Sequence, residues 1–335
     1  MDEATALSLD IPERWLHRLS NGSYVHAGMF TTFGPEANCT LDLCPVRWTV
    51  YQYRPSLAVN VLFAVLYAFA LASHIYLGIR WRTWSFMGFM IAGCSMNIIG
   101  YSARAFLWVN PWSFNTFMVQ MTFVTTAPVF YSAAIYVTLS RAIHFFSPEI
   151  SRLPPRLFYW LFISADFLCL SLQAAGGAFA TVSSGASTVG NNISMSGLVL
   201  QVIVLIVFLG FLVDYMVRYL RLQKSRGATT LMARRQKLFF AGLTTAYFLI
   251  LARCAYRVDE LSEGYRDSTK ITNQYTFIFL EGMFVYIAVL ALMIGHPGFG
   301  FRETESETQR EKPASGSAPE SSDELSASSV QKLSV

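Results

Sequence analysis

Three features of this 335-residue chain predict an all-α integral membrane protein with seven transmembrane helices. First, seven apolar stretches of about twenty residues, nearly free of charge, run between positions 56 and 295. A helix of about 20 residues rising 1.5 Å each matches the roughly 30 Å hydrocarbon layer and satisfies its own backbone groups there. Second, the composition is 53% hydrophobic and only 14% charged, with a mean hydropathy of +0.40. So few charges with so many long apolar runs exclude an ordinary water-soluble domain. Third, the basic residues alternate. Arg80 and Arg82, then Arg141, Arg152 and Arg156, then seven from Arg218 to Lys237 fall between alternate stretches, twelve in all, while the opposite loops hold two, Arg266 and Lys270. The positive-inside rule then predicts an outer N-terminus and a cytosolic C-terminus.

Taken in order, residues 1–52 form a predicted extracellular segment. Its first ten residues, MDEATALSLD, are acidic and lack an apolar core, so no cleavable signal peptide is expected. Cys39 and Cys44 are placed in an oxidising compartment, where they can close a small disulfide loop. Glycosylation sequons at Asn21, Asn38 and Asn192 all fall on the predicted outer side. The spans follow at 56–78, 84–107, 117–140, 157–180, 197–217, 237–258 and 274–295 within a membrane domain at 53–298. Cys94, Cys169 and Cys254 sit inside spans and read as small buried hydrophobes. Between Arg218 and Lys237 no acidic residue offsets the seven basic ones, which suits contact with anionic headgroups. Residues 299–335 are rich in Ser, Glu and Pro and are expected to be a disordered cytosolic tail.

The residues that point to function are the ionisable ones inside the spans, each costing at least about 2.5–3.5 kcal/mol at the bilayer centre unless it finds a partner or water. They are Arg104, Asp166, Arg253, Arg257 and Glu281. Asp166 and Gln173 stand seven apart, as do Asn97 and Arg104, while Arg253, Arg257 and Glu260 follow an i, i+4, i+7 pattern, so each set shares one helix face. The functional reading is an outward-opening polar cavity in which Asp166 or Glu281 meets a cationic group and the arginines meet a phosphate or carboxylate. The structural alternative is a set of interhelical ion pairs, such as Arg253 with Glu281, that fixes packing. Asn60, Tyr67 and His74 form a further stripe, read as packing. Gly176 and Gly177 beside Gln173 allow close helix approach.

Other chemistry is missing from the sequence. There is no phosphate-binding P-loop, no H-E-x-x-H and no G-x-S-x-G, and no Cys/His spacing resembles a metal site. The last span carries no lysine that could hold retinal. No enzyme, cofactor or nucleic-acid partner is therefore expected.

The motifs, taken span by span, resemble a known family. Tyr53-x-Pro55-Ser56-x-x-x-Asn60 opens the first span, Gly100-Tyr101-x-x-Arg104 closes the second, and Ala127-Pro128 with Ala133-Ala134-x-Tyr136 and Arg141 marks the third. Asp166, Ser171, Gln173 and Gly176-Gly177 mark the fourth, and Gly197-Leu198-x-x-Gln201 the fifth. Arg253-x-x-Tyr256-Arg257-x-x-Glu260 lies in the sixth, and Glu281 followed by His296-Pro297-Gly298 in the seventh. In this order they resemble the fungal lipid-translocating exporters, the family named for resistance to aminocholesterol, which includes sphingoid long-chain-base exporters. Asn97 departs from the family's usual Glu three residues before the Gly-Tyr of the second span. The resemblance implies a plasma-membrane protein that moves an amphipathic lipid (a sphingoid base, a phospholipid or a sterol-like amine) between leaflets or out of the cell. It implies substrate contacts from Asp166, Arg104, Gln173, Arg253, Arg257, Glu281 and Asn97. A seven-span sensor of lipid or drug stress without net transport is the competing class.

Overall fold

The computed structural model describes residues 16–18, 24–26, 34, 37–41, 44–146, 155–182, 188–225, 234–262 and 273–300. The tail expected at 299–335 lies outside them, apart from its first two residues, and so does the Asn21 sequon. Seven helices are long and apolar enough to cross a membrane. They are α1 (Leu57–Arg80), α2 (Trp84–Phe106), α3 (Phe114–Phe146), α4 (Pro155–Val182), α5 (Thr188–Ser225), α6 (Arg234–Ser262) and α7 (Gln274–Ile294). A one-turn α8 (Pro297–Gly300) follows. This is a multi-pass membrane protein. In the N-terminal segment, β1 (Leu16–Arg18) pairs antiparallel with β2 (Tyr24–His26), a small addition to the helical architecture.

The helices start near the expected positions and several outrun the expected spans. α5 begins nine residues before position 197 and ends eight after 217, because the apolar run marks only the part of a helix that needs hydrocarbon. Neighbouring helices alternate in direction. Their outward faces carry Phe69, Tyr76, Trp84, Trp160 and Phe167, each at least 60% exposed. Such faces suit acyl chains and would be an aggregation hazard in water.

α3 is the central helix: 72% of its apolar window is buried, against 22% for α4. Its Ala127, Tyr131, Ala134, Ile135 and Leu139 belong to one core with Tyr67 of α1, Cys94 and Tyr101 of α2, Leu205 and Phe208 of α5, Tyr247 of α6 and Val289 of α7. Aromatic contacts knit this core, as Tyr67 stacks on Tyr101 at 5.6 Å and Tyr136 meets Phe208 in a tilted pair at 4.4 Å between ring centres. Gly176 lets α4 approach α5, since a Cβ there would strike the Ser194 backbone.

The His-Pro-Gly sequence closes α7. His296 Nδ1 accepts from the Gly298 backbone N–H at 3.1 Å, which places the neutral ring's proton on Nε2, facing the Thr83 hydroxyl at 3.3 Å. Burial, with a smaller contribution from His74, pushes the His296 imidazole down to about 4. Gly298 presses against Trp81, where a side chain would collide. His74 is fully buried with Nε2 3.3 Å from the Val289 carbonyl, in keeping with a packed stripe.

Candidate functional site

A cavity of about 460 Å³ opens between α3, α4, α5 and α6, in the half of the bundle nearest the start of α1. α3 contributes Met118, Met121, Thr122, Thr125 and Thr126, and α4 contributes Leu170, Gln173, Ala174, Gly177 and Ala178. Ser194 and Leu198 of α5 and Arg257 and Leu261 of α6 complete the wall. Thr122, Ala174 and Ala178 are exposed, so the space is open rather than sealed. The volume is within the range of small-ligand sites. Apolar walls with a few convergent polar groups suit a ligand that is itself amphipathic.

Of the seven expected binding residues, Gln173 and Arg257 reach this cavity. Arg257 Nη1 donates to Glu260 Oε2 at 2.6 Å, and Nη2 lies 3.2 Å from the Met121 sulfur, a weak acceptor on the cavity wall. Gln173 donates to the Gln201 side-chain carbonyl at 2.9 Å, and the Gln201 amide in turn faces the Cys254 sulfur at 3.9 Å.

The other five residues, Asp166, Arg104, Arg253, Glu281 and Asn97, are buried and do not line this cavity. Arg253 and Glu281 form an interhelical pair, with Nε and Nη2 both donating to Glu281 Oε2 at 2.9 and 2.7 Å. Arg253 Nη2 also lies 3.3 Å from the Val124 carbonyl. That acceptor is available because Pro128, four residues on, has no N–H to bond it. Glu281 is carried by a π-helical turn, Phe277–Met283, set into α7, a distortion frequent at functional positions. Pairing exhausts these charges locally, which is why neither faces the cavity.

Arg104 is held by aromatic groups. Its guanidinium lies 3.7 Å from the Phe277 ring centre and 4.5 Å from that of Tyr51, and Nη2 donates to the Tyr53 hydroxyl at 2.6 Å. Among the described residues no carboxylate pairs with it. Tyr51 donates to Gln120 at 2.5 Å. Burial pushes its phenol up to about 12, with the Arg104 charge opposing. Burial likewise raises Tyr53. Residues 50–53 thus lie across the ends of α2 and α3, beside a cluster of Cys39, Cys44 and Trp112. Cys39 and Cys44 are joined in a disulfide with Cα atoms 5.6 Å apart. Asn38 and Asn192 are exposed.

Asp166 is 1% exposed at the middle of α4. The Ser132 hydroxyl lies 3.1 Å from its Oδ2, and no Lys, Arg or His pairs with it among the described residues. Asn97 donates to the Tyr131 hydroxyl at 2.8 Å. Ser132, Tyr131, Gln201 and the Thr122, Thr125, Thr126 set were not singled out from the sequence as site residues. The threonines carried a usable signal, since their i, i+3, i+4 spacing puts three hydroxyls on one face of α3. No cluster of three or more His, Cys, Asp or Glu side chains able to hold a metal occurs among the described residues.

Fold and site together define a seven-span helical membrane protein with an open, mixed-polarity cavity inside the bundle. The model of the RTA1-like proteins matches residues 90–304, well over half of the chain, and the chain belongs to that family. It is 29% identical over 288 residues to the sphingoid long-chain base transporter RSB1 of Saccharomyces cerevisiae, covering 74% of this chain and 73% of that protein. Protein RTA1 of Saccharomyces cerevisiae is 26% identical over 292 residues, covering 79% of this chain and 90% of its own length. Protein RTM1 of Saccharomyces cerevisiae is 29% identical over 226 residues, covering 66% and 70%. No solved structure matches this chain.

Proposed function

We propose that this protein is a translocase for amphipathic lipids, moving a polar head through the α3–α6 cavity while the chains stay among apolar side chains and lipid. The observation that carries the reading is the cavity itself, with Arg257, Gln173, Ser194 and three threonines set in an otherwise apolar wall. The name of the 29% identical relative supports a lipid as cargo, and the candidate cargoes are a sphingoid base, a phospholipid or a sterol-like amine. Asp166 lies about 10 Å deeper than Gln173 on the same face of α4. There it serves as an inner polar station for the moving head. The protein works without enzymatic chemistry in the plasma membrane, with its N-terminal segment and glycans outside and its tail in the cytosol. The alternation of basic loops supports that orientation.

Purified protein in liposomes is expected to speed the passage of a labelled amphipathic lipid across the bilayer, and Asp166→Asn to slow it while thermal unfolding stays cooperative. No acceleration for a sphingoid base, a phospholipid or a sterol-like amine overturns the proposal in favour of a sensor.

A further inference from the structure

We infer that a lipid reaches the α3–α6 cavity sideways, from the leaflet beside the start of α1, through a seam between α3 and α4 whose edges are Thr122, Ala174 and Ala178. This rests on the translocase reading above and adds the route by which the cargo enters. The first reason is where the wall is open. The four wall residues from α5 and α6, Ser194, Leu198, Arg257 and Leu261, are at most 5% exposed. Thr122 of α3 and Ala174 and Ala178 of α4 line the same cavity and are exposed. The open part of the wall therefore belongs to α3 and α4.

The second reason is how α4 is held. Gly176 and Gly197 let α4 and α5 approach backbone to backbone, since a Cβ at either would strike the other helix. α4 is thereby drawn onto α5 at the level of the cavity, and toward α3 it offers Ala174 and Ala178, whose methyl groups are too short to fill the gap. The two helices are tied deeper in the bundle. There the Ser132 hydroxyl donates to Asp166 at 3.1 Å, and Tyr136 lies against Phe162 with ring centres 5.5 Å apart. Ser132 stands about 9 Å of helical rise beyond Thr126, the deepest α3 residue of the wall. α3 and α4 are thus joined at mid-membrane and parted toward the start of α1. The third reason is the medium outside. Thr122 stands about 12 Å of rise inside the start of its apolar span, and Ala174 about 7.5 Å inside the end of its own. At that depth hydrocarbon lies against the bundle, and Val119 and Phe179 beside the seam are exposed apolar side chains. An alkyl chain crossing here stays among apolar groups, while the head it carries meets Gln173, Ser194 and Arg257 on the inner wall. Entry from water at the helix ends would first expose that chain to solvent, at a cost that grows with its length.

The test uses a long-chain base with a photoreactive diazirine near the end of its alkyl chain, cross-linked to the full-length protein in phosphatidylcholine nanodiscs and located by peptide mass spectrometry. Adducts are expected at Thr122, Ala174 and Ala178. An excess of unlabelled base should suppress them and leave adducts on the exposed Phe69 and Tyr76 of α1 unchanged. In liposomes, Thr122→Trp combined with Ala174→Trp sets two rings across the seam and should lose most of the lipid movement of wild type. Ala255→Trp, at an exposed α6 position that does not line the cavity, should keep it. Seam adducts that the competitor leaves unchanged, or adducts confined to other helices, overturn the inference, and so does full lipid movement by a folded double variant. The wild-type labelling pattern decides the matter even if the double variant fails to fold. Lipid movement without competed seam adducts removes the lateral route and leaves the translocase reading standing. Competed seam adducts without lipid movement sink the translocase reading and leave the seam as a lipid-binding site.

Discussion

The two sides of the bundle handle buried charge in opposite ways. Where α6 meets α7, Arg253 and Glu281 are matched at 2.7 Å, both at most 2% exposed, with the spare donor taken by the Val124 carbonyl that Pro128 releases. Where α6 meets α3 and α4, Arg257 is paired on its own helix with Glu260, and its Nη2 lies 3.2 Å from the Met121 sulfur on the wall of an open cavity. The two arginines stand four residues apart on one helix face. The difference lies in what each neighbour supplies: a π-turn bearing a carboxylate closes one side, while threonines and glycine hold the other apart. An arginine inside a membrane is therefore not evidence of a binding site until its partner is known.

If the paired side is a structural clamp, Glu281→Gln should be the most damaging change, since it strands Arg253 as a buried uncompensated cation at a cost of about 3–5 kcal/mol. Thermal unfolding in detergent would report it, and replacing both residues with apolar ones should recover much of the loss. A variant that unfolds normally yet moves no lipid would transfer the working role to this side.

The far end of the bundle should respond to acid. His296 in the folded protein is held near 4 against an ordinary 6.5, so the unfolded chain binds the extra proton first. Stability is then full above about pH 6.5 and falls by up to about 3 kcal/mol as pH drops toward 4. Protonation removes the acceptor that Gly298 uses. His296→Gln should flatten this part of the stability profile, measured as unfolding temperature against pH.

Smaller effects belong to the segment that crosses the ends of α2 and α3. Reducing the Cys39–Cys44 disulfide should release about 2 kcal/mol of loop constraint, read as faster proteolysis of the N-terminal segment with the helices intact. Tyr53→Phe deprives the Arg104 guanidinium of an acceptor and should cost about 1 kcal/mol or somewhat more, because the aromatic faces of Tyr51 and Phe277 remain. Loss of lipid movement in Tyr53→Phe would tie this segment to the cavity.

Much of the architecture was legible in the chain. Seven apolar runs announced seven helices, and the Arg253–Glu281 pair was foreseeable as one of two alternatives, because a buried guanidinium and a buried carboxylate in adjacent spans have few other partners. The cavity was harder to see. Its wall is built from small and hydroxyl-bearing residues, such as Ala174, Gly177 and Thr125, that also populate ordinary helix contacts. Only Gln173 and Arg257 among the expected residues belong to it. The π-turn at Glu281 left no mark on the apolar pattern, since one inserted residue shifts the face of a helix without changing its composition.

Hydropathy and charge placement settled that this polypeptide spans a bilayer seven times and which groups it buries there, because lipid offers backbone and charge no substitute for internal partners. Which of those charges pair with one another and which lie on the wall of a cavity depended on how α3, α6 and α7 rotate and bend against one another. A helix face specifies an angle, and whether a carboxylate, a freed carbonyl or an empty volume stands opposite is a property of the packed bundle.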